Sequence, residues 1–127
     1  MKIYLANSLT HAPEEYKSEM AKLRSKLSQD HEVSEYLGLI NGNAEAVFRH
    51  DIGCVKNCDL LLAEVSYPST GLGFEIATGL NLGKKVLAVA QKDAKVTRMI
   101  LGIQDPNFKI IRYASVGDIL IFLKQYL

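Results

Sequence analysis

Short apolar runs that alternate with stretches of helical spacing, no internal repeat or linker, and three prolines confined to turns or helix starts predict an α/β fold on a parallel sheet. Parallel strands need crossovers, and right-handed crossovers place helices on both faces of the sheet. Within this class the expected architecture is a flavodoxin-like (Rossmann-like) three-layer sandwich with a five-stranded parallel sheet in the order 2-1-3-4-5. All 127 residues are read as a single domain, long enough to bury about two-thirds of the unfolded surface without a disulfide or structural metal.

The elements follow in order. Lys2 to Ala6 is a short apolar run and reads as a buried strand. Tyr16, Met20, Leu23 and Leu27 recur at helical spacing, and Pro13 suits the first turn of that helix. His31 to Leu37 is a weaker strand, and the glycines and asparagines of Gly38 to Asn43 mark a loop. Ala44, Val47, Phe48, Ile52 and Val55 form an apolar stripe on a helix that runs up to Cys58. Asp59 to Val65 reads as a strand buried on both faces, Leu72 to Leu82 as a helix closed by Gly83, and Lys84 to Ala90 as another buried strand. A short helix near Lys95 to Leu101, a strand at Phe108 to Arg112 and a last helix complete the alternation. That last helix opens with Ser115 and Asp118, spaced as a capping box.

Composition removes several classes of function. Hydrophobic residues make up 48% and charged residues 23%, which fits neither a disordered tail nor a membrane span. Fifteen Lys and Arg against fourteen Asp and Glu give +1, with no basic concentration for a phosphate-backbone groove, so nucleic-acid polymer is not an expected partner. The N-terminal apolar run turns polar by Asn7, too early for a signal peptide, and no run approaches the eighteen residues of a membrane span. The expected location is cytoplasmic. Cys54 and Cys58 have no Cys or His pair at ligand spacing, so both read as packing residues, and no metal site is expected.

In a sheet of this order, ligands bind outside the carboxyl ends of the strands beside strand one, which directs attention to Ala6 to Thr10 and Ser66 to Gly71. Asp51 falls within the apolar stripe, between Phe48 and Val55, so a carboxylate is pointed inward and needs a partner or a function. Glu75 is expected in the first turn of the helix after the Pro68–Phe74 loop, where the helix dipole favours an ionised carboxylate. Two carboxylates from neighbouring helices suit chemistry at an acetal-like carbon, one attacking while the other moves a proton. Glu64, at a strand end, is a rival carboxylate with a structural role expected. Gly71 and Gly73 do not complete a G-x-G-x-x-G fingerprint, because Ile76 stands where the third glycine would be. Ser69, Thr70 and Gly71 ahead of a helix offer donors for an anion, and Ser8 could face the same point. His11, His31 and His50 lack partners at telling spacing, and His50 and Asp51 do not face one direction on a helix.

These residues resemble a known family. Lys2 to Ser8, Asp51 to Val65, Pro68 to Gly79, Gly83 to Leu87 and Thr97 to Ile100 are similar to the corresponding blocks of the nucleoside 2-deoxyribosyltransferase superfamily. Within it the chain looks most like the 2'-deoxynucleoside 5'-phosphate N-hydrolases, homodimers that cleave the base from a deoxynucleotide. The resemblance implies Glu75 as nucleophile at C1', Asp51 holding the sugar hydroxyl or assisting protonation of the base, and Tyr4 orienting Glu75 and crowding the 2' position. It implies Ser8, Ser69 and Gly71 as ligands of the 5'-phosphate, with Thr97 contributed to the neighbouring site of the dimer. No cofactor is implied. Alternatives are a deoxyribosyltransferase acting on free nucleosides and a non-catalytic nucleotide-binding module. The chain departs from the pattern at Asn7, where glycine is usual, and at Thr10, where arginine stands in a relative; Tyr36, Leu39 and Ile40 are candidate base contacts.

Overall fold

The structure is a computed structural model that describes residues 1–36 and 42–126. Its elements are β1 (Lys2–Asn7), α1 (Glu14–Leu27), β2 (Glu32–Glu35), α2 (Ala44–Asn57), β3 (Leu60–Glu64), α3 (Thr70–Asn81), β4 (Lys85–Gln91), α4 (Arg98–Leu101), β5 (Phe108–Tyr113) and α5 (Val116–Tyr126). The five strands pair in parallel in the expected order β2-β1-β3-β4-β5. The loop residues Leu39 and Ile40 lie outside the described residues.

Alternate residues of each central strand feed separate cores on the two faces, so these strands read as continuous apolar runs. Ile3, Leu5, Leu60 and Leu62 pack beneath Tyr16, Met20 and Leu23 of α1 and Ile119 and Leu123 of α5. Tyr4, Ala6, Leu61 and Ala63 face the other way, against Val55 of α2 and Leu72 and Ile76 of α3. No helix among the described residues is long and apolar enough to cross a membrane.

Chain chemistry sets the element ends. Asn43 caps α2 by accepting the Ala46 N–H at 2.8 Å. At the end of α3, Gly83 adopts φ +74°, a left-handed conformation that favours glycine, and the Lys84 N–H returns to the Gly79 carbonyl at 2.9 Å. Asp118 accepts the Ala114 and Ser115 N–H groups at 2.9 and 3.1 Å, so the aspartate fulfils the reach-back half of the expected capping box. Asn7 has an ordinary negative φ and a buried side chain, so no left-handed backbone is required where the family usually has glycine.

Two expectations change. Phe48 is not buried with the apolar stripe of α2, because only the C-terminal half of this helix, with Ile52 and Val55, lies on the sheet. Phe48 instead is 56% exposed and meets Phe74, 53% exposed, with ring centroids 5.9 Å apart. The third helix starts at Thr70 rather than Leu72, since Ser69 caps it by accepting the Leu72 N–H at 3.2 Å, and Glu75 therefore sits beyond its first turn.

Candidate active site

The overhanging half of α2 and the first turns of α3 bound a cleft of about 530 Å³ at the carboxyl end of the sheet. Asp51 and Glu75 both line it, with Val47, Phe48 and Phe74 as apolar walls and Thr70 and Gly71 at one end. The two carboxylates that the sequence pointed toward one another thus share one cavity.

Tyr4 of β1 lies behind the cavity wall and reaches Glu75 rather than the cavity itself. Its side chain is fully buried, and its phenol donates a hydrogen bond to Glu75 Oε2. Burial, followed by the charge of Glu75, their hydrogen bond and the charge of Asp51, pushes the phenol far above its ordinary pKa. Tyr4 is therefore a fixed donor across the range in which proteins operate. For Glu75, burial raises the carboxyl to about 7; the Tyr4 hydrogen bond pulls it down and the Asp51 charge pushes it up. This differs from an ionised state favoured by a first-turn dipole, because Glu75 lies past the first turn and is half-buried. A carboxyl balanced near neutrality can attack as an anion or return a proton, the range that acid–base and nucleophilic work demands.

Asp51 is 18% exposed at its side chain, and its Oδ1 lies 2.9 Å from His50 Nδ1. The histidine ring turns across to its neighbour, a contact that wheel positions alone do not reveal. Asp51 thus lies at the cleft surface beside His50 instead of deep in the apolar core.

Of the anion-binding candidates, Gly71 lines the carboxylate cleft, whereas Ser69, one residue before the Thr70 of that cleft, and Ser8 do not. Ser69 accepts from Leu72 N–H, which leaves its hydroxyl hydrogen to donate outward. Gly71 is exposed, and a Cβ there would meet nothing within 4 Å, so its backbone is open to an approaching group. Ser8 is fully buried and donates to the Pro68 carbonyl at 3.1 Å. It braces the loop, and its hydroxyl hydrogen would have to leave that carbonyl to meet a ligand. Thr97 is not brought into the carboxylate cleft. It is exposed, accepts the Met99 N–H at 3.3 Å, and lines a second cavity of about 300 Å³ together with Ser69 and Thr70, of which Thr70 also lines the carboxylate cleft. Phe48 and Phe74 are cleft residues that sequence reasoning assigned no role; their signal was an aromatic residue three before Asp51 and another adjacent to Glu75. Among the described residues no group of three or more His, Cys, Asp or Glu could hold a metal ion.

Comparison with known proteins bears on this arrangement. A family model described as nucleoside 2-deoxyribosyltransferase matches residues 3–112. A Thermofilum pendens protein, provisionally named 2'-deoxynucleoside 5'-phosphate N-hydrolase 1, is 46% identical over 74 residues, covering 57% of this chain and 52% of that one. The 5-hydroxymethyl-dUMP N-hydrolase of Rattus norvegicus is 30% identical over 88 residues, covering 67% and 53%. The chain spans about half the length of these curated relatives. Among solved structures, the CMP N-glycosidase of Clostridium botulinum superposes over 100% of both chains with a TM-score of 0.79 at 23% identity, a likeness of fold.

Proposed function

The chain belongs to the nucleoside 2-deoxyribosyltransferase family, and from that premise we propose that it is an N-glycosidase that hydrolyses 2'-deoxynucleoside 5'-monophosphates to free base and deoxyribose 5-phosphate. One observation carries the reading: Asp51 and Glu75 share a cleft whose end is the serine-capped start of α3. Acid pair and anion donors then address C1' and the 5'-phosphate of one small molecule. The names of the Thermofilum pendens and Rattus norvegicus relatives support the same class of substrate.

In the proposed mechanism an ionised Glu75 oxygen attacks C1' as the bond to the base nitrogen breaks. The carboxylate stabilises the oxocarbenium-like transition state and then traps it as a glycosyl-enzyme. Tyr4 donates to Glu75 Oε2 and holds the carboxylate in its attacking rotamer, while its full burial leaves the crowding of the 2' position, which the resemblance implied, without support. Asp51 holds the sugar hydroxyl or supplies the proton to the departing base. Water then attacks C1', its proton passes to a carboxylate, and Glu75 is released. Phosphate held by Ser69, Gly71 and the loop braced by Ser8 anchors the substrate away from C1', so that binding energy orients the reacting centre. The proposal includes a homodimer in which Thr97 of one subunit completes the site of the other, and action in the cytoplasm, where free nucleotides are used.

The test is release of free base from a panel of deoxynucleotides, ribonucleotides and nucleosides, with and without an added acceptor base. Base release from deoxynucleotides in preference to nucleosides is expected. Transfer to the acceptor with no advantage from phosphate would identify a deoxyribosyltransferase instead, and tight nucleotide binding without turnover a binding module. Ser69→Gly is expected to keep stability within about 0.5 kcal/mol, because glycine is tolerated at a helix N-cap, while reducing the preference for nucleotide. Activity per subunit that persists undiminished in a monomer at high dilution would remove the role of Thr97.

A further inference from the structure

Opposite the carboxylate cleft, on the α1/α5 face of the sheet, Glu64 ends β3 with no exposed surface. A fully buried carboxylate on the far face does not touch a substrate in the cleft. Its Oε1 accepts the Ser66 backbone N–H at 2.5 Å, and its Oε2 accepts the Ser66 hydroxyl at 2.9 Å as well as the Tyr113 phenol. The Ser66 Oγ in turn accepts the Gln91 N–H at 2.7 Å. One carboxylate and one serine thereby join the ends of β3, β4 and β5.

The residues that follow Ser66 are each held in turn. Tyr67 stands edge-on to Tyr16 of α1, with centroids 4.9 Å apart. The Pro68 carbonyl accepts the Ser8 hydroxyl at 3.1 Å, and Ser69 accepts the Leu72 N–H. The five-residue connection Val65 to Ser69 is thus anchored at each residue, Val65 through its N–H on the Val89 carbonyl at 2.9 Å, and presents the start of α3 in one conformation.

We infer that Glu64 is a positioning residue for the anion end of the cleft, fixing Ser66 so that the connection through Ser69 holds the donors of Ser69 and Gly71 where a 5'-phosphate is received. This deepens the proposed function and rests on its placing the phosphate at the start of α3. An amide at position 64 keeps the size of the side chain but turns an N–H toward neighbours that already donate, so the connection must shift.

The experiment compares the wild type with Glu64→Gln and Tyr113→Phe, measuring the affinity of a deoxynucleotide and of the matching nucleoside by calorimetry, with base release followed in parallel. For Glu64→Gln, loss of one buried hydrogen bond's worth of order at the loop is expected to weaken nucleotide binding and raise its KM about tenfold. Nucleoside affinity is expected to change by less than about twofold, and kcat at saturation by less than about threefold. Tyr113→Phe removes one donor and keeps the ring, so a nucleotide-selective loss of about threefold tests the same inference if the amide variant fails to fold. Equal weakening of both ligands, or a lowered Tm with neither affinity changed, makes Glu64 a stability residue and overturns the inference. A wild type that binds nucleotide selectively but releases no base refutes hydrolysis while the binding ratios of the variants still decide the role of Glu64. A wild type that binds nucleotide no better than nucleoside overturns both.

Discussion

Each face of the sheet carries a tyrosine bonded to a glutamate. On the α1/α5 face Tyr113 donates to Glu64, and on the α2/α3 face Tyr4 donates to Glu75. Burial pushes both carboxyls above their ordinary range. Their surroundings are otherwise different. Glu64 is fully enclosed and takes three donors on its two oxygens, while Glu75 is half-buried and borders an open cleft beside a second carboxylate. A displaced pKa is therefore shared by a brace and a candidate nucleophile. Access to a cavity and lone pairs still open to it are what separate the two.

The largest expected effect breaks the comparison on the side of chemistry. Glu75→Gln should reduce base release by at least about a thousandfold, because the amide cannot form the glycosyl-enzyme. Chemical denaturation should find its stability at neutral pH lowered by less than about 1 kcal/mol, since the group borders solvent and the tyrosine can still donate to the amide oxygen. Substantial residual turnover would reassign the nucleophile.

Glu64→Leu breaks it on the side of folding. The Ser66 N–H and the Tyr113 phenol would be left in the interior without their acceptor, at a cost of about 3 kcal/mol in urea unfolding. A loss no greater than that of Glu75→Gln would mean the two pairs do not differ as argued.

The smallest effect sharpens the comparison by pH. Since the Tyr4 hydrogen bond lowers the Glu75 pKa, Tyr4→Phe should raise it above about 7 and move the ascending limb of the pH–rate profile to more alkaline values. A loss of about tenfold at neutral pH, recovered in part at higher pH, is expected. Stability carries the same signature with the opposite slope. The folded Glu75 binds its proton up to about pH 7 and the unfolded one only to about 4.5, so its stabilising contribution is complete below 4.5 and disappears as pH rises through 7. Unfolding curves of Glu75→Gln across that interval should be flatter than those of the wild type.

Much of this was legible in the residues, and the gaps have physical causes. Continuous runs such as Leu60 to Glu64 announce strands covered on both sides, and alternation with helices indicates a parallel sheet, within which the order 2-1-3-4-5 is a choice that the structure bears out. Asp51 and Glu75 could be directed to one cleft because strand order places α2 and α3 on the same face. The two-residue earlier start that displaces Glu75 from the first turn depended on Ser69 acting as cap, a choice that glycine-rich sequence leaves open. Phe48 looked like core because periodicity gives direction but not how far a helix extends past the sheet. The partners of Glu64 could not be named at all, since Tyr113 lies 49 residues away in the chain and only the register of three strands brings it near.

The projection of α2 beyond the sheet has a further consequence. Val55, near its C-terminal end, is locked into the interior, whereas Val47 and Phe48 touch the cleft and contribute little to the core. Exchanges in those first turns are therefore expected to reshape the cleft while leaving the folded state almost as stable, which under the proposed function would change base preference at little cost in folding. One helix thereby divides between anchoring the scaffold and shaping the cavity wall.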